Sequence, residues 1–398
     1  MDCLAVCAIV RDETATLREW ALHHLLLGAE RLIVYDNESA VPVAETLADL
    51  VEAGACHVRE IRGRNRQLDV YAGCLEEFGP RARWLAFIDA DEFLIPLDPP
   101  DLPRLLADYD GYGGLGANWV CFGSEGHLTR PGGLQLKRYT QRWPLAHTFN
   151  LHVKSIVRPD RVAAPNTAHH FTFRPGWHCV DEEGTPLFDA FSPFKADRLR
   201  VHHYFFRSQR EYEEKLARGP ADYSAPKKYD LFYEQARTAV RTDMTAEPFA
   251  EAVARAMRPA AALELAAKAV AARRESEGEA LARAEGLLRK NNVIEAEREA
   301  SVAATRFQSA QAWALAAACR RVLGRPAKAM EAIRRSMAVK PVSRAAYELF
   351  RHHLDAGRHD RAASTLAVLR RTADVAEAGA LERLAGDMRA ELERARKR

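Results

Sequence analysis

The fold is decided by the stretch Arg83-Trp84-Leu85-Ala86-Phe87-Ile88-Asp89-Ala90-Asp91-Glu92-Phe93. Its apolar run, Trp84 to Ile88, predicts a strand that is buried on both faces, as in a parallel sheet. Asp89 and Asp91 follow, and they project from the same side if the backbone stays extended. Open α/β sheets bind ligands at this end of a strand, and a divalent ion, Mg²⁺ or Mn²⁺, would relieve the repulsion between two carboxylates. The alternative is a solvated turn after a strand.

Strand and helix patterns alternate on both sides of this stretch. The predicted strands are Leu4–Val10, Arg31–Tyr35, Cys56–Ile61 and Trp84–Ile88, and the predicted helices between them are Thr16–Leu27, Val43–Ala53 and Gln67–Phe78. This order predicts an α/β domain with a mostly parallel sheet and helices on both faces. From about residue 111 to 200, glycine, proline and short strand-like pieces predict loops at the sheet edge, where specificity usually resides.

The C-terminal part of the chain repeats itself. Similar residues recur at an interval of about 34 residues, which is the period of tetratricopeptide repeats. The matching pairs are Trp313 with Tyr347 and Ala329 with Ala363, whereas Gly324 and Gly357 are one position short of the same interval. The helix pairs of such repeats stack into a solenoid. We therefore expect a sheet domain over residues 1–241, a helical linker over 242–275 and helical repeats over 276–398. The alternative is a helical bundle with coincidental spacing.

Composition and charge narrow the class of protein. The chain of 398 residues has 58 basic and 55 acidic side chains and a formal charge of +3, which argues against a general nucleic-acid binder. Seven scattered cysteines without a Cys-x-x-Cys pair indicate reduced thiols. The short apolar N-terminus predicts a first strand, and no apolar run reaches the roughly 18 residues that span a bilayer. We expect a cytoplasmic protein, free or peripheral at the inner membrane.

Polar side chains follow three of the predicted strands, at the point where each strand ends. They are Arg11-Asp12-Glu13, Asp36-Asn37-Glu38-Ser39 and Asp89-Ala90-Asp91-Glu92. Because the carboxyl ends of parallel strands meet at one edge of a sheet, these side chains are expected to converge there. A solvated turn would explain any one of them, but the three together favour a site.

A basic loop precedes the helix predicted to begin at Gln67. Arg62, Arg64 and Arg66 alternate with Gly63 and Asn65. Guanidinium groups match the geometry of phosphate, and the start of a helix adds amide donors and a favourable dipole. The loop therefore predicts a diphosphate clamp, with an ordinary solvated basic loop as the alternative.

Two adjacent histidines lie in the strand-like run Leu199 to Phe206. Neighbouring strand residues point to opposite faces, so at most one of His202 and His203 can face the predicted site. A neutral imidazole there could complete the coordination of a divalent ion, whereas a packed core histidine is the alternative. The chain has no Gly-x-Ser-x-Gly elbow, which argues against a nucleophilic triad, and no P-loop, which argues against kinase-like proteins.

Taken together, these stretches resemble glycosyltransferase family 92, also described as domain of unknown function 23, and its bacterial family-2-like relatives. The resemblance covers residues 3 to about 223 and rests on Cys7–Glu13, Glu19-Trp20, His23-His24, Gly28, Tyr35–Ser39, Gln67, Tyr71, Trp84–Phe93, Phe122–His127, Lys154–Pro159, His169–Phe171, His203–Phe205 and Ser208. It implies a GT-A-like fold, a nucleotide-sugar donor, a divalent ion and inversion at the anomeric carbon. The predicted tetratricopeptide-like repeats lie outside it.

The resemblance also implies roles for individual residues. Asp89 and Asp91 match the metal-binding Asp-x-Asp, and His203 matches the later histidine that can join it. Arg11, Glu13, Asp36 and Asn37 match the donor-nucleotide edge. The predicted donor-binding set also includes Arg64 and Arg66 from the basic loop, together with Gln67 and Lys154. Two positions depart from the family pattern, because Asp12 stands where asparagine is frequent and His202 stands where asparagine commonly precedes the histidine.

These observations predict a metal-dependent, inverting glycosyltransferase that acts on a glycan or another hydroxyl acceptor, in the synthesis of envelope or extracellular polysaccharide. A carboxylate would deprotonate the acceptor, and the candidates are Asp181, Glu182 and Glu125. The repeats would bind a protein partner or a second copy of the chain. Two alternatives remain: an inactive repeat scaffold and a nucleotide-sugar hydrolase.

Overall fold

The computed structural model describes residues 2–219, 230–340, 342–371 and 378–396, which fall into two compact units, Met1–Arg274 and Glu275–Arg398. The strands are β1 Asp2–Val10, β2 Arg31–Asp36, β3 Cys56–Glu60, β4 Ala82–Phe87, β5 Glu92–Pro96, β6 Gly114–Cys121, β7 Gln141–Arg142, β8 Val153–Val157, β9 Val162–Pro165, β10 Phe171–Phe173, β11 Cys179–Val180, β12 Pro186–Leu187, β13 Leu199–His203 and β14 Arg241–Thr242.

The helices of the first unit are α1 Thr14–Leu26, α2 Val43–Thr46, α3 Ala48–Glu52, α4 Gln67–Phe78, α5 Leu102–Ala107, α6 Gln135–Arg138, α7 Gln209–Arg218, α8 Asp230–Thr238, α9 Glu247–Ala256 and α10 Pro259–Ala272. Those of the second are α11 Glu277–Arg289, α12 Val293–Phe307, α13 Ala310–Val322, α14 Pro326–Val339, α15 Ser343–Asp355, α16 His359–Arg371 and α17 Ala378–Arg396. Short 3₁₀ turns cover Gly79–Arg81, Thr148–Leu151 and Pro159–Arg161. Among the described residues, none of these helices combines the length and the apolar character that crossing a bilayer requires.

A mixed sheet of ten strands organises the first unit. Its main path runs β12-β11-β6-β8-β4-β1-β2-β3. Strands β4, β1, β2 and β3 run parallel to one another, whereas β8 runs antiparallel between β4 and β6. Strand β13 lies parallel to β6 and pairs with β5 in the antiparallel sense. The carboxyl ends of β1, β2 and β4 therefore share one edge, as the sequence predicts.

Both faces of the sheet are covered, because alternate side chains of β1 enter different cores. One core contains Leu4, Val6 and Ala8 together with the buried side of α1, and the other contains Ala5 and Cys7 together with that of α4. This alternation is what a strand with period-two side chains produces when both faces are apolar. The predicted α/β class, with helices on both faces and a helical C-terminal region after it, is confirmed.

Residues 242–275, predicted as a helical linker, hold α9 and α10 in the structure. Ala250, Val253, Ala262 and Ala266 are fully buried and belong to the same core as α1. Since this face is apolar and covered by the first unit, that unit runs to Arg274 and not to residue 241.

The second unit is built from successive helix pairs. In α11–α12, α13–α14 and α15–α16, a three-residue connection joins the two helices, and Asn291, Gly324 and Gly357 adopt positive φ angles of 60°, 69° and 68° there. A left-handed residue after a helix lets the chain reverse, and glycine adopts that conformation without steric cost. The predicted breaks near Gly324 and Gly357 are thus present.

The period of these pairs is one position shorter than the interval that the sequence predicts. The first helices begin at residues 277, 310 and 343, and the second helices at 293, 326 and 359. Buried Ala296, Ala329 and Ala362 occupy equivalent positions in the second helices. Trp313 is the fourth residue of its helix, and Tyr347 the fifth, so the two aromatic side chains are not equivalent. Assignment to the tetratricopeptide class stays a prediction, and residues 341, 372–377 and 397–398 of the predicted repeats lie outside the described residues.

Candidate functional site

The backbone reverses between β4 and β5. The N–H of Glu92 donates to the carbonyl of Asp89 at 3.0 Å, and the N–H of Asp89 donates to the Glu92 carboxylate at 2.9 Å. The prediction that Asp89 and Asp91 project from the same side required an extended backbone. The backbone is not extended here, because β4 ends at Phe87 and a tight turn follows. As a result, the two aspartates meet different partners.

Asp89 is held by a lysine and a glutamine. The Nζ of Lys154 donates to one carboxylate oxygen at 2.8 Å, and the Nε2 of Gln67 donates to the other at 3.0 Å. Lys154 is fully buried and its Nζ is also 3.4 Å from Glu92. Burial would raise the pKa of Asp89, but Lys154 outweighs it and lowers the pKa, so Asp89 stays ionised. Burial raises the pKa of Glu92 to about 8.

Asp91 faces a second lysine and one of the two histidines. The Nζ of Lys215, from α7, contacts the Asp91 carboxylate and donates to the carbonyl of Phe205 at 3.2 Å. The Nε2 of His203 lies 3.6 Å from Asp91 Oδ2. Burial would raise the pKa of Asp91, but Lys215 and His203 hold this pKa well below its ordinary value.

Strand alternation separates the two histidines, as the sequence predicts. His203 faces Asp91, and burial lowers its pKa to about 4, so the imidazole is neutral at pH 7. His202 is fully buried on the other side, with its ring centroid 4.7 Å from that of Phe122. Burial lowers the pKa of His202 to about 3. Only His203 is therefore placed to act with Asp91.

The end of β1 is tied to the segment around α7 by ion pairs. Glu13 accepts from Arg207 at 2.5 Å and from Arg218 at 2.8 Å. Arg207 is buried, and its Nε and one terminal nitrogen have no hydrogen-bond partner within the described ranges. Arg11 is more exposed and lies 3.9 Å from the Asp12 carboxylate. Arg207 and Arg218 thus form a cationic cluster, and the charge of Arg207 also acts on Asp91 in the Asp89–Glu92 turn.

Asp36 and Asn37 organise the loops that follow β2. The Asp36 carboxylate accepts from the N–H groups of Ser39 and Val43 at 3.0 and 2.9 Å. The side-chain amide of Asn37 donates to the carbonyls at residues 61 and 63, at 3.1 and 3.0 Å, and so holds the basic loop against this edge. These contacts position the loop, whatever else the two side chains bind.

In the basic loop, Arg64 is exposed and Arg66 pairs with Asp69 at 2.9 Å. Gln67 begins α4 and reaches Asp89, so the start of this helix lies at the aspartate turn. Through Gln67 the structure therefore brings the start of α4, which follows the basic loop, to the end of β4, and the role of the arginines as a diphosphate clamp stays a prediction.

The three carboxylates predicted as catalytic bases are engaged in turns. Asp181 accepts from the N–H groups of residues 183 and 185 and pairs with Lys195 at 2.9 Å. Glu182 accepts from the N–H groups of residues 197 and 198, and Glu125 from those of residues 140 and 141. In the described part of the chain, none of the three contacts the aspartate turn, so their catalytic role stays a prediction without geometric support.

The donor set at the turn suits a divalent ion that is shared with a substrate. Within residues 2–219, 230–340, 342–371 and 378–396, no three histidine, cysteine or acidic side chains converge closely enough to hold a metal alone. Asp91 and His203 are adjacent, and Asp89 is ionised nearby. Mg²⁺ is usually held by one or two carboxylates plus substrate phosphates, so these residues fit an ion that arrives with a phosphate ligand.

Sequence reasoning missed Lys215, Arg207 and Arg218. A signal for this segment does exist, because Ser208 and Glu211 form a capping box, with the Ser208 hydroxyl accepting from the Glu211 N–H at 3.4 Å. A helix that starts so soon after β13 has to begin at the sheet edge where His203 lies. This signal indicates where the helix begins, but it does not indicate which side chains pair with the aspartates.

Comparison with known proteins gives concordant family matches. The model of glycosyltransferase family 92 matches residues 3–247. A family 92 protein from Ricinus communis is 25% identical over 229 residues, which cover 55% of this chain and 38% of the relative. One from Oryza sativa subsp. japonica is 26% identical over 228 residues, covering 56% and 36%. The chain thus spans less than two-fifths of the length of these relatives.

Solved structures were matched more weakly. S. aureus TarS 1-349 has a TM-score of 0.27 and 12% identity, with coverage of 39% of this chain and 47% of that chain. The same fragment in complex with UDP has a TM-score of 0.27 and 13% identity, with the same coverage.

Proposed function

Because the chain belongs to glycosyltransferase family 92, we propose that it transfers a sugar from a nucleotide-sugar donor to a hydroxyl group of a glycan or another acceptor. The observation that supports this most is the convergence of Asp91, His203 and Lys215 at one sheet edge, beside the cationic cluster around Glu13. Acidic, imidazole and cationic groups are what a diphosphate and its divalent ion require together.

The donor diphosphate would lie between the β1 end and α7. Two guanidinium nitrogens of Arg207 have no hydrogen-bond partner among the described residues, and Lys215 and Arg218 add positive charge from α7. Arg64 and Arg66 would join them from the basic loop that Asn37 holds in place. Each guanidinium group can donate two parallel hydrogen bonds to phosphate oxygens. Several such groups together therefore favour a diphosphate over a single carboxylate.

A Mn²⁺ or Mg²⁺ ion would be held by Asp91 and His203, with Asp89 nearby. When bound with the donor, such an ion neutralises negative charge on phosphate oxygens. Asp91 is ionised and His203 is neutral at pH 7, so both are in the protonation state that binds a cation. Lys154 fixes the Asp89 carboxylate at the turn and orients it.

In the reaction, the bond between the anomeric carbon and the diphosphate oxygen breaks, and a bond from the acceptor oxygen to that carbon forms with inversion. The acceptor hydroxyl loses its proton to a base, and the nucleoside diphosphate leaves with the electron pair. Lys215 and Arg207 would stabilise the charge of the leaving diphosphate, because Lys215 contacts Asp91 and Arg207 contacts Glu13, beside the place that we propose for the diphosphate. Polysaccharide synthesis in the cytoplasm or at the inner membrane is the setting we propose. The helix pairs would hold a partner or a second chain.

The proposal is tested by thermal unfolding of the full chain with nucleoside diphosphates and their sugars, with and without Mn²⁺. A native-state ligand at 100 times its Kd stabilises by about 2.7 kcal/mol. Asp91→Asn should abolish the part of the shift that needs Mn²⁺, whereas Asp197→Asn, an exposed aspartate, should not. An unchanged Mn²⁺-dependent shift in folded Asp91→Asn would refute the site. Failure of every nucleotide to stabilise the wild type would favour an inactive scaffold, and donor hydrolysis that no acceptor stimulates would favour a hydrolase.

A further inference from the structure

A row of rings leads from the protein surface to the candidate site. Phe191 is 52% exposed, and its ring centroid is 4.5 Å from that of His152. His152 stacks on Trp119 at 4.7 Å, and Trp119 lies 4.2 Å from His203, which faces Asp91. Each ring is in contact with the next, so the row is continuous from Phe191 to His203.

The row lies on one side of the aspartate turn, and the cationic cluster lies on the other. In the sheet, β8 and β6 follow β4 in one direction, and β1 and β2 follow it in the other. Trp119 is on β6 and His152 directly precedes β8, whereas Arg207 and Arg218 pair with Glu13 after β1. If the donor diphosphate binds at the cations, the rings border the opposite side, where an acceptor has to approach.

The row also offers polar groups at its edges. The indole N–H of Trp119, a residue only 5% exposed, has no hydrogen-bond partner among the described residues, although buried indoles usually find one. Nδ1 of His152 is 2.9 Å from the Phe149 carbonyl, and Nδ1 of His169 is 3.0 Å from the Val153 carbonyl. A carbonyl only accepts, so Nδ1 carries the proton in each ring and a neutral ring keeps Nε2 as an acceptor.

Apolar ring faces with a few acceptors and one free donor suit a ligand that has an apolar face and a rim of hydroxyl groups. A pyranose ring is such a ligand, since one of its faces presents C–H bonds and its edge presents hydroxyls. Lipid chains would leave the indole N–H and the imidazole acceptors unsatisfied, which costs free energy in a buried site. A peptide could use them but would not need stacked rings.

We propose that Phe191, His152 and Trp119, with His169 at their edge, form the acceptor subsite and that the acceptor is a glycan whose pyranose ring stacks on Phe191. This inference rests on the proposed function, and it narrows the acceptor from any hydroxyl compound to a carbohydrate. Phe188, which is 79% exposed in the same segment, would contact the next sugar of a longer chain.

The test uses the full-length protein and saturation-transfer difference NMR. The probes are methyl glycosides of glucose, galactose, mannose and N-acetylglucosamine, added with Mn²⁺ and the nucleoside diphosphate that stabilises the protein most. At least one probe should bind the wild type through its C–H protons, and Phe191→Ala should raise its Kd tenfold or more. Leu128→Ala is the matched control, because Leu128 is a 71% exposed apolar residue that forms no part of the row.

Nucleotide binding, measured by thermal shift on the same variants, separates the two proposals. It should be equal in wild type, Phe191→Ala and Leu128→Ala. The subsite is refuted if no glycoside binds while the nucleotide does, or if Phe191→Ala binds the glycoside as tightly as wild type. It is also refuted if Phe191→Ala weakens nucleotide binding instead, which would mean that the ring stacks on the nucleobase. If glycosides bind with the predicted sensitivity but no nucleotide does, the donor-dependent function fails and the subsite stands.

Discussion

Lys215 occupies the position next to Asp91 that an incoming cation would need. Its ammonium group contacts the carboxylate, donates to the Phe205 carbonyl and lies 4.0 Å from the centroid of the Phe205 ring. The protein therefore carries its own positive charge at the candidate metal site. We expect Mn²⁺ to compete with this charge, so that Lys215→Met binds Mn²⁺ more tightly than wild type when no nucleotide is present.

The size of the effect follows from the geometry. Two unit charges about 4 Å apart interact by roughly 4 kcal/mol at an effective dielectric constant of 20. The side chains of Lys215 and Asp91 are 18% and 11% exposed, so solvent reduces this value, and we expect about 1.4 to 2.8 kcal/mol to be recovered by the metal. Since 1.4 kcal/mol is a factor of ten, the Kd for Mn²⁺ should fall about tenfold to a hundredfold.

The measurement is a titration of the nucleotide-free protein with Mn²⁺, followed by the electron paramagnetic resonance signal of the free ion. Lys195→Met is the matched control, because Lys195 also pairs with an aspartate, Asp181 at 2.9 Å, but away from the aspartate turn. It should leave the Kd unchanged. An equal or weaker affinity in folded Lys215→Met would show that Lys215 supports the ion, or that Asp91 is not its ligand.

The basic loop, a buried histidine and the boundary of the first unit each allow a further test. Arg64→Ala and Arg66→Ala should each weaken nucleoside diphosphate binding more than they lower turnover at saturating donor, and normal binding in both would leave the loop a solvated turn. His202 has a pKa of about 3 in the folded protein against 6.5 ordinarily, so the unfolded chain binds the extra proton as pH falls through that window. The free energy of unfolding measured in urea should therefore fall by about 2 kcal/mol between pH 7 and pH 5 through His202 alone. His202→Phe should remove this part of the pH dependence, and an identical pH dependence in the variant would contradict the reasoning. A chain that ends at Arg274 should fold and keep metal-dependent nucleotide binding, whereas one that ends at Arg241 should aggregate because it uncovers the core face under α9 and α10; soluble, binding-competent protein from the shorter chain would disprove this.

Much of the first unit could be predicted because local patterns determine it. The apolar run Trp84 to Ile88 becomes β4, whose bounds are Ala82–Phe87, and the helical pattern from Gln67 to Phe78 becomes α4 with the same bounds. Strand alternation separates His202 from His203 without knowledge of the fold. These predictions succeed since each depends only on neighbours in sequence.

The partners of the aspartates could not be predicted in this way. Lys215 is 124 residues from Asp91, and Arg207 is 194 from Glu13, so neither pair leaves a trace in local periodicity. The turn that separates Asp89 from Asp91 depends on two hydrogen bonds made after the strand has ended, one from the Glu92 N–H to the Asp89 carbonyl and one from the Asp89 N–H to the Glu92 carboxylate. Long-range ion pairs and a single reversed turn therefore decide the site.

The period of the helix pairs is predicted one residue too long for a different reason. The most conspicuous side chains in the C-terminal part, Trp313 and Tyr347, are one position out of register, so their spacing overstates the period. The inconspicuous buried alanines, Ala296, Ala329 and Ala362, carry the true spacing. Small residues are recognised less readily in a sequence, although close helix packing depends on them.

The constant interval between successive helix pairs restricts how the length of the second unit can change. Removing or duplicating one whole interval returns each buried alanine to an equivalent place, so this unit can grow or shrink in evolution by complete helix pairs. One residue added inside α13 would instead rotate everything after it by about 100° about the helix axis, and Trp313 and Cys319 could not both stay covered. Natural length variants and engineered ones alike should therefore differ by whole intervals in this unit, with other changes confined to the turns.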